Sequence, residues 1–285
     1  MQKKLMSKKP SRRTAHLQIR PHRPSDEPDV IAPGLRANSG FPAPVRAIRI
    51  GLLVPAGNTT FEPDFASVLP SGATLHAHRI STQKTYAAES FEAMEDINSG
   101  LPEAAVILSK AKVQIIAYGF ATATFFRGID YARNLERLIA EASGAKAVVP
   151  SLALLDALAH LSAKRISVVT PYPAWNNQVL REFLGETQHK ILSFVGDKRP
   201  LEEVSKRHLW HQPPEEITNY VTSNCHREAD CLLCPCTAWR IFEVVEQIEE
   251  RLGIPVITAN QATIWKVFKE IRMQPSSKVG TLMRS

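Results

Sequence analysis

Cysteine is scarce in this chain and confined to one place. The four thiols among 285 residues, Cys225, Cys231, Cys234 and Cys236, lie within twelve positions. Thiols bunched in this way do not suggest a disulfide framework, and reduced cysteines of an intracellular protein fit better. His226 beside them raises the question of zinc, but Cys231 and Cys234 fall on opposite sides of a strand, and no second Cys/His pair stands at ligand spacing elsewhere. No metal is expected. Long apolar runs are missing too: none approaches the roughly 18 residues that cross a bilayer, and there is no apolar core of a secretion signal. The reading is a cytoplasmic protein with no membrane partner. Charge of one sign is also absent from most of the chain. The formal net charge is +7, but residues 1–46 hold ten Lys/Arg against three Asp/Glu, and the remainder balances 25 against 25. The positive charge belongs to a tail rather than a binding face, so nucleic acid is not an expected partner. That Pro-, Arg- and Ser-rich tail lacks apolar periodicity and is expected to be disordered. Asp26, Glu27 and Asp29 count against a transit peptide.

What is present centres on Asp230-Cys231-Leu232-Leu233-Cys234-Pro235-Cys236-Thr237-Ala238-Trp239-Arg240, an apolar strand leading toward a helix. Ile241, Val244, Val245, Ile248 and Leu252 follow helical spacing, and Gly253 ends the run. Cys236 is therefore expected at the carboxyl end of a strand, just ahead of a helix N-terminus, where open α/β sheets collect anionic ligands. The same design occurs upstream. Val113–Gly119 reads as a strand, followed by Phe120-Ala121-Thr122 and a helix through Ile129, Ala132, Leu135, Leu138 and Ile139 to Gly144. Phe120 and Cys236 are 116 positions apart, and so are Pro55 and Pro171 at the ends of two other apolar strands. Two landmarks at one offset indicate an internal duplication, with equivalent strand ends facing a shared cleft.

Taken in order, strands are expected at Ile48–Pro55, Ala73–Ile80, Val113–Gly119, Ala145–Pro150, Ile166–Pro171, Ile191–Val195, Cys231–Pro235 and Pro255–Thr258. Helices Pro102–Lys112, Leu152–Leu161 and one from Ala262 to Ile271 alternate with them, and Thr59 or Thr60 is placed to cap a helix containing Glu62. Ser81–Asn98, with Tyr86, Phe91 and Met94, reads as a polar stretch, either a lid over the cleft or a solvated connection, and Gly196–Pro214 as an insertion whose His208 and His211 are solvated. Alternation of strand and helix implies parallel sheets. The expected fold is α/β with two pseudo-symmetric lobes, each a four-stranded parallel sheet flanked by helices, and an active site in the cleft between them. Residues 47–152 with 259–285 would form the first lobe and 153–258 the second, the last helix packing back on the first.

The residues also carry a family resemblance. Leu53-Val54-Pro55-Ala56-Gly57-Asn58-Thr59-Thr60-Phe61-Glu62-Pro63 resembles the opening motif of maleate cis–trans isomerases. Pro171-Tyr172 with Asn177 resembles their middle motif. Cys236-Thr237 with Arg240, and Ala259-Asn260-Gln261-Ala262 with Trp265, resemble the closing ones. Thr124-Phe125-Phe126-Arg127-Gly128 is similar to a motif of arylmalonate decarboxylase. Both families belong to the aspartate/glutamate racemase superfamily. The resemblance spans about residues 47–272 and implies a cofactor-free enzyme acting on a small dicarboxylic acid.

In that superfamily the resemblance implies cysteines at the two equivalent strand ends. Racemases use both, isomerases attack a double bond with the first, and decarboxylases keep only the second as proton donor to an enediolate. Here the second position is Cys236 and the first is Phe120. A phenyl ring neither attacks nor carries protons. The leading expectation is thus decarboxylation of a malonate-like diacid by Cys236. Maleate-type isomerisation by Cys236, or a non-catalytic diacid-binding protein, are the alternatives. The resemblance further assigns carboxylate binding to Asn58, Thr122, Tyr172, Asn177 and the N–H groups of Thr237 and Ala238. Phe120, Ala121, Thr124 and Trp239 line the pocket, Ala121 standing where the decarboxylase has a threonine; Thr124 or Asn58 is a candidate replacement for that donor. Phe125 and Trp175 read as further pocket wall or ordinary core. Assembly of identical chains is left open.

Overall fold

The computed structural model describes residues 47–81, 90–197 and 212–285. The expectations for the tail, for Tyr86 and for His208 and His211 lie outside the described residues. Among the described residues there are eight strands: β1 (Ile48–Pro55), β2 (Ala73–Ile80), β3 (Ile115–Tyr118), β4 (Lys146–Val148), β5 (Arg165–Val169), β6 (Lys190–Val195), β7 (Cys231–Cys234) and β8 (Val256–Thr258). They form two four-stranded sheets, ordered β2-β1-β3-β4 and β6-β5-β7-β8. Every pairing is parallel. The identical order repeats the topology of one half in the other, and β3 and β7 occupy equivalent central places. Central parallel strands are covered on both faces, which explains why Ile50, Leu52, Leu53 and Val54 are consecutive or nearly so and all buried.

The helices follow the same alternation. Gly128–Ser143 and Val245–Leu252 both end on a glycine in the left-handed region, Gly144 at φ 69° and Gly253 at φ 67°. A residue without a side chain closes a helix there with the least steric strain. Helix Ala259–Ile271 starts directly after β8 with a reciprocal cap: the Gln261 N–H donates to Thr258 Oγ1 (3.1 Å), and the Thr258 N–H donates to Gln261 Oε1 (3.3 Å). It then packs against Pro150–His160 and Phe61–Ser67. Trp265 stacks on His160 at 5.1 Å between ring centres.

Two local features differ from expectation. The polar connection at 81–98 contains a helix, Phe91–Ser99, whose Ser90 Oγ accepts from the Ala93 N–H. Its buried side, Ala93, Met94 and Asn98, is too small to give a clear periodic signal. The helix expected to begin at Ile241 is preceded by turns and a 3₁₀ segment, Phe242–Val244, and its α-helical part starts only at Val245. Cys236 is therefore not seated on a helix N-terminus, and the dipole contributes little there, because the effect fades within a turn.

One close approach fixes the cleft from below. Gly119 follows β3 and donates its N–H to Leu53 O (2.8 Å). A Cβ there would lie 2.7 Å from the Phe61 ring, itself fully buried. We expect Gly119→Ala to lower stability by about 1–3 kcal/mol through overpacking, read as an earlier midpoint in denaturant at unchanged slope. A midpoint equal to the parent would mean that the Phe61 ring yields freely.

Candidate active site

The two central strands end side by side in space. Beyond β3 the chain runs Gly119-Phe120-Ala121 into the short helix Thr122–Phe125, and beyond β7 it runs Pro235-Cys236-Thr237-Ala238 into turns. Asn58, in the turn after β1, joins them. Its Nδ2 donates to Gly119 O (3.2 Å) and to Thr237 O (3.1 Å). Its Oδ1 accepts from the Thr60 N–H (2.9 Å) and the Phe61 N–H (3.1 Å), while the single Thr60 hydroxyl hydrogen goes to Thr237 O (2.7 Å). The helix Phe61–Ser67 is thus capped by Asn58 rather than by the hydroxyl of Thr59 or Thr60. Arg79 of β2 clamps the same turn, donating to Pro55 O and Asn58 O while paired with Glu62.

Main-chain donors are left over at both strand ends. Among the described residues, the N–H groups of Phe120, Ala121 and Thr122 have no acceptor, nor do those of Thr237 and Ala238. Buried N–H groups are almost always satisfied, so two uncommitted sets at facing strand ends mark a place for an anion. Among the described residues this group has no buried cation; its buried polar side chains are Asn58, Thr60, Thr122, Thr124, Asn176, Thr237 and Asn260. Neutral donors can hold a carboxylate in such a place, and they stabilise extra charge that develops on it during reaction. Metal-binding clusters of three or more His, Cys, Asp or Glu side chains are absent among the described residues.

Cys236 is buried and directly precedes the Thr237 and Ala238 donors in the chain. Burial pushes the thiols of Cys234 and Cys231 far above the usual thiol range, and that of half-buried Cys225 upward too. A thiol held protonated inside apolar packing is inert. Tyr172 is buried beside Cys236 and donates its hydroxyl proton to Pro235 O (2.8 Å), the carbonyl bonded to the Cys236 nitrogen. Its ring packs edge-on to Phe125, which also meets Phe183, so Phe125 is core holding the two lobes together.

Several expected site residues have other partners. Asn177 accepts from Thr170 Oγ1 (2.6 Å) and donates to Tyr172 O (2.7 Å), tying the turn that carries Tyr172 rather than reaching the strand ends. The neighbouring Asn176, which no sequence motif singles out, is fully buried and donates to Thr122 Oγ1 (3.3 Å). With that lone pair occupied, the Thr122 hydroxyl is left to act as a donor. Thr124 donates to Ala121 O (2.7 Å), and the Asn58 amide hydrogens go to main-chain carbonyls. Both candidates for the donor that the resemblance expects at position 121 thus have main-chain partners. Trp239 is buried, with Nε1 donating to Gln212 Oε1 (2.9 Å) and its ring against Tyr220. Trp175 meets Phe91 across the lobes. Phe120 is half-buried, its ring edge-on to Tyr118 at 6.5 Å.

With this geometry in place, the comparisons with known proteins are decisive for kinship. The sequence pattern of the family described as arylmalonate decarboxylase matches residues 50–283. The chain belongs to that family. The maleate isomerase of Pseudomonas putida is 28% identical over 240 residues, covering 80% of this chain and 93% of its own. The arylmalonate decarboxylase of Bordetella bronchiseptica is 24% identical over 170 residues, covering 55% of this chain and 65% of its own. A Nocardia farcinica maleate cis-trans isomerase variant with a covalently bound succinylcysteine intermediate superposes with a TM-score of 0.73 at 23% identity, over 84% of this chain and 98% of its own. The family's relatives thus include both isomerases and decarboxylases, and at that identity the structural likeness is one of fold.

Proposed function

We propose that this family member is a cofactor-independent decarboxylase of a malonate-like diacid, with Cys236 as the proton donor. The observation that carries the reading is the asymmetry of the two strand ends. Uncommitted N–H groups are present at both, but a thiol at only one, because Phe120 stands where the resemblance expects the partner cysteine and the first half of the chain has none.

One substrate carboxylate sits against the N–H groups of Thr237 and Ala238 and the hydroxyl of Thr122, which Asn176 orients. The second carboxylate leaves as carbon dioxide when its bond to the α-carbon breaks. The electron pair of that bond passes into the retained carboxylate, giving an enediolate whose added negative charge the N–H donors stabilise, each by on the order of 3 kcal/mol of barrier. Cys236 then gives its S–H proton to the α-carbon, a C–H bond forms, and the thiolate regains a proton from water. A single donor on a single face makes the product one configuration. Among the described residues the surroundings hold no buried cation, which favours the carboxylate's loss of solvation that assists this departure.

Isomerisation is the second reading, favoured by the longer alignment with maleate isomerases. There the Cys236 thiolate would add to one alkene carbon of maleate, the resulting single bond would rotate, and elimination would return the thiolate and fumarate. The test is direct: purified protein is incubated with phenylmalonate, methylmalonate and maleate. Carbon dioxide release from a malonate, without fumarate from maleate, is the expected result. Fumarate formation with a Cys236 adduct by mass spectrometry would replace the decarboxylase reading by the isomerase one. Binding of diacids with neither product would leave a diacid-binding protein.

A further inference from the structure

The carbonyl of Thr237 receives three hydrogen bonds: from Asn58 Nδ2 (3.1 Å), Thr60 Oγ1 (2.7 Å) and Asn260 Nδ2 (3.1 Å). A carbonyl oxygen has two lone pairs, so this is an unusually crowded acceptor. A trans peptide is planar, and its N–H points away from its C=O. Whatever holds the Thr237 oxygen therefore aims the Ala238 N–H, one of the uncommitted donors. Hydrogen bonds to the carbonyl also polarise the peptide and strengthen that N–H as a donor.

Asn260 has a second partner. The same Nδ2 donates to Asp64 Oδ2 at 2.6 Å, while Asn260 Oδ1 is buried with no partner among the described residues. Both hydrogens of one nitrogen are thus claimed by acceptors, and an ionised Asp64, which can only accept, holds the amide in this orientation. A protonated Asp64 could instead donate to Oδ1 of a flipped Asn260, and the flipped amide would turn an oxygen toward Thr237 O and lose that bond. Asp64 can exchange its proton with solvent, because it lines a cavity of about 570 Å³ with Arg240, Phe242 and Glu243.

We propose that Asp64 is a positioning residue for the reaction: acting through Asn260, it sets the direction of the Ala238 N–H that faces the substrate carboxylate. The assignment deepens the diacid reading and rests on it for the substrate, though not for the coupling itself. Burial raises the Asp64 carboxyl to about 7; the Asn260 hydrogen bond opposes this, Glu243 adds to it, and Arg240 opposes it. The other charges around it are Glu62 on its own helix, paired with Arg79, and Glu246, paired with Arg284; Arg240 is itself paired with Glu243. Above pH 7 Asp64 is ionised and the Ala238 N–H is held; below it the hold is released.

Two measurements decide the matter. In the free ¹⁵N-labelled protein, the Ala238 main-chain amide and the Asn260 side-chain amide should shift together with a midpoint near pH 7. In Asp64→Asn, whose amide oxygen still accepts from Asn260 but does not ionise, neither should titrate. With phenylmalonate or maleate, whichever is turned over, kcat/KM of the parent should fall about tenfold from pH 8 to pH 6. Asp64→Asn should be flat across that range and within about threefold of the parent at pH 8, and Asp64→Ala about tenfold lower. An Ala238 signal that ignores pH, or that still titrates in Asp64→Asn, overturns the inference. So does an Asp64→Ala variant with parental kcat/KM. If the parent turns over neither diacid, the functional reading falls, and the amide titration alone still decides whether Asp64 controls Ala238.

Discussion

Cys236→Ala should lower decarboxylation by about 10³-fold, in the range expected for losing a positioned general acid, while diacid binding changes little. The reason is the division of labour in the proposed reaction: the N–H groups of Thr237 and Ala238 and the Thr122 hydroxyl would hold the carboxylate, and the Cys236 thiol would deliver the proton. No other cysteine can take over, because Cys231 and Cys234 are buried in the sheet with their thiols held protonated. Kinetics with the malonate found by screening, together with calorimetric titration, separates the two effects. Loss in kcat with an unchanged dissociation constant is the expected pattern. A variant retaining more than a tenth of parental kcat would remove Cys236 from the role of acid.

Phe120→Cys should create an activity that the parent lacks. Gly119 O and Thr237 O accept from the same nitrogen of Asn58, so the residues that follow β3 and β7 converge on one point from the two lobes. A thiol at 120 would then face Cys236 across a bound acid. One cysteine, as its thiolate, would take the α-proton of a 2-arylpropionate and the other would give its S–H proton from the opposite side, the enediolate between them being held by the same N–H donors. Deuterium from solvent should enter the α-position and an enantiopure acid should lose its configuration, whereas the parent should do neither. The ring of Phe120 is half-buried against Tyr118, and its removal should cost roughly 2–3 kcal/mol. A folded variant that binds the acid without exchange or racemisation would mean that positions 120 and 236 do not face one another across the ligand.

Much of the architecture is legible in the sequence because local rules and the repeat agree. β1 and β2 begin and end where alternation of apolar runs and turn residues places them, and Gly144 and Gly253 mark helix ends by a backbone geometry that few other residues adopt. The constant offset of 116 positions marks β3 and β7 as equivalents, and the two sheets indeed repeat one order. The stretch after Cys236 is harder to read, because Ile241, Val244 and Val245 satisfy helical spacing equally well when the first turns are 3₁₀ or irregular. Periodicity records which side chains are buried, not which carbonyl each N–H reaches. Asn176 and Asn177 show the same limit: adjacent, chemically identical residues, of which one meets Thr122 and the other the turn before its own helix. Asp64 and Asn260 carry no sign of their pairing at all, being 196 positions apart on different elements.

The crowded carbonyl of Thr237 also bears on how the molecule reaches its shape. Two of its three donors come from residues 179 and 177 positions away along the chain, which places them among the least local contacts of the fold. Each sheet can assemble from shorter-range pairings, but these bonds require the two halves to have met, after the entropy of closing so long a loop has been lost. Interactions that form late slow escape from the native state more than they hasten arrival. The cleft should therefore act as a kinetic latch: the hydrogen bonds that hold the Thr237 carbonyl should also be among those that set how long the two halves stay together.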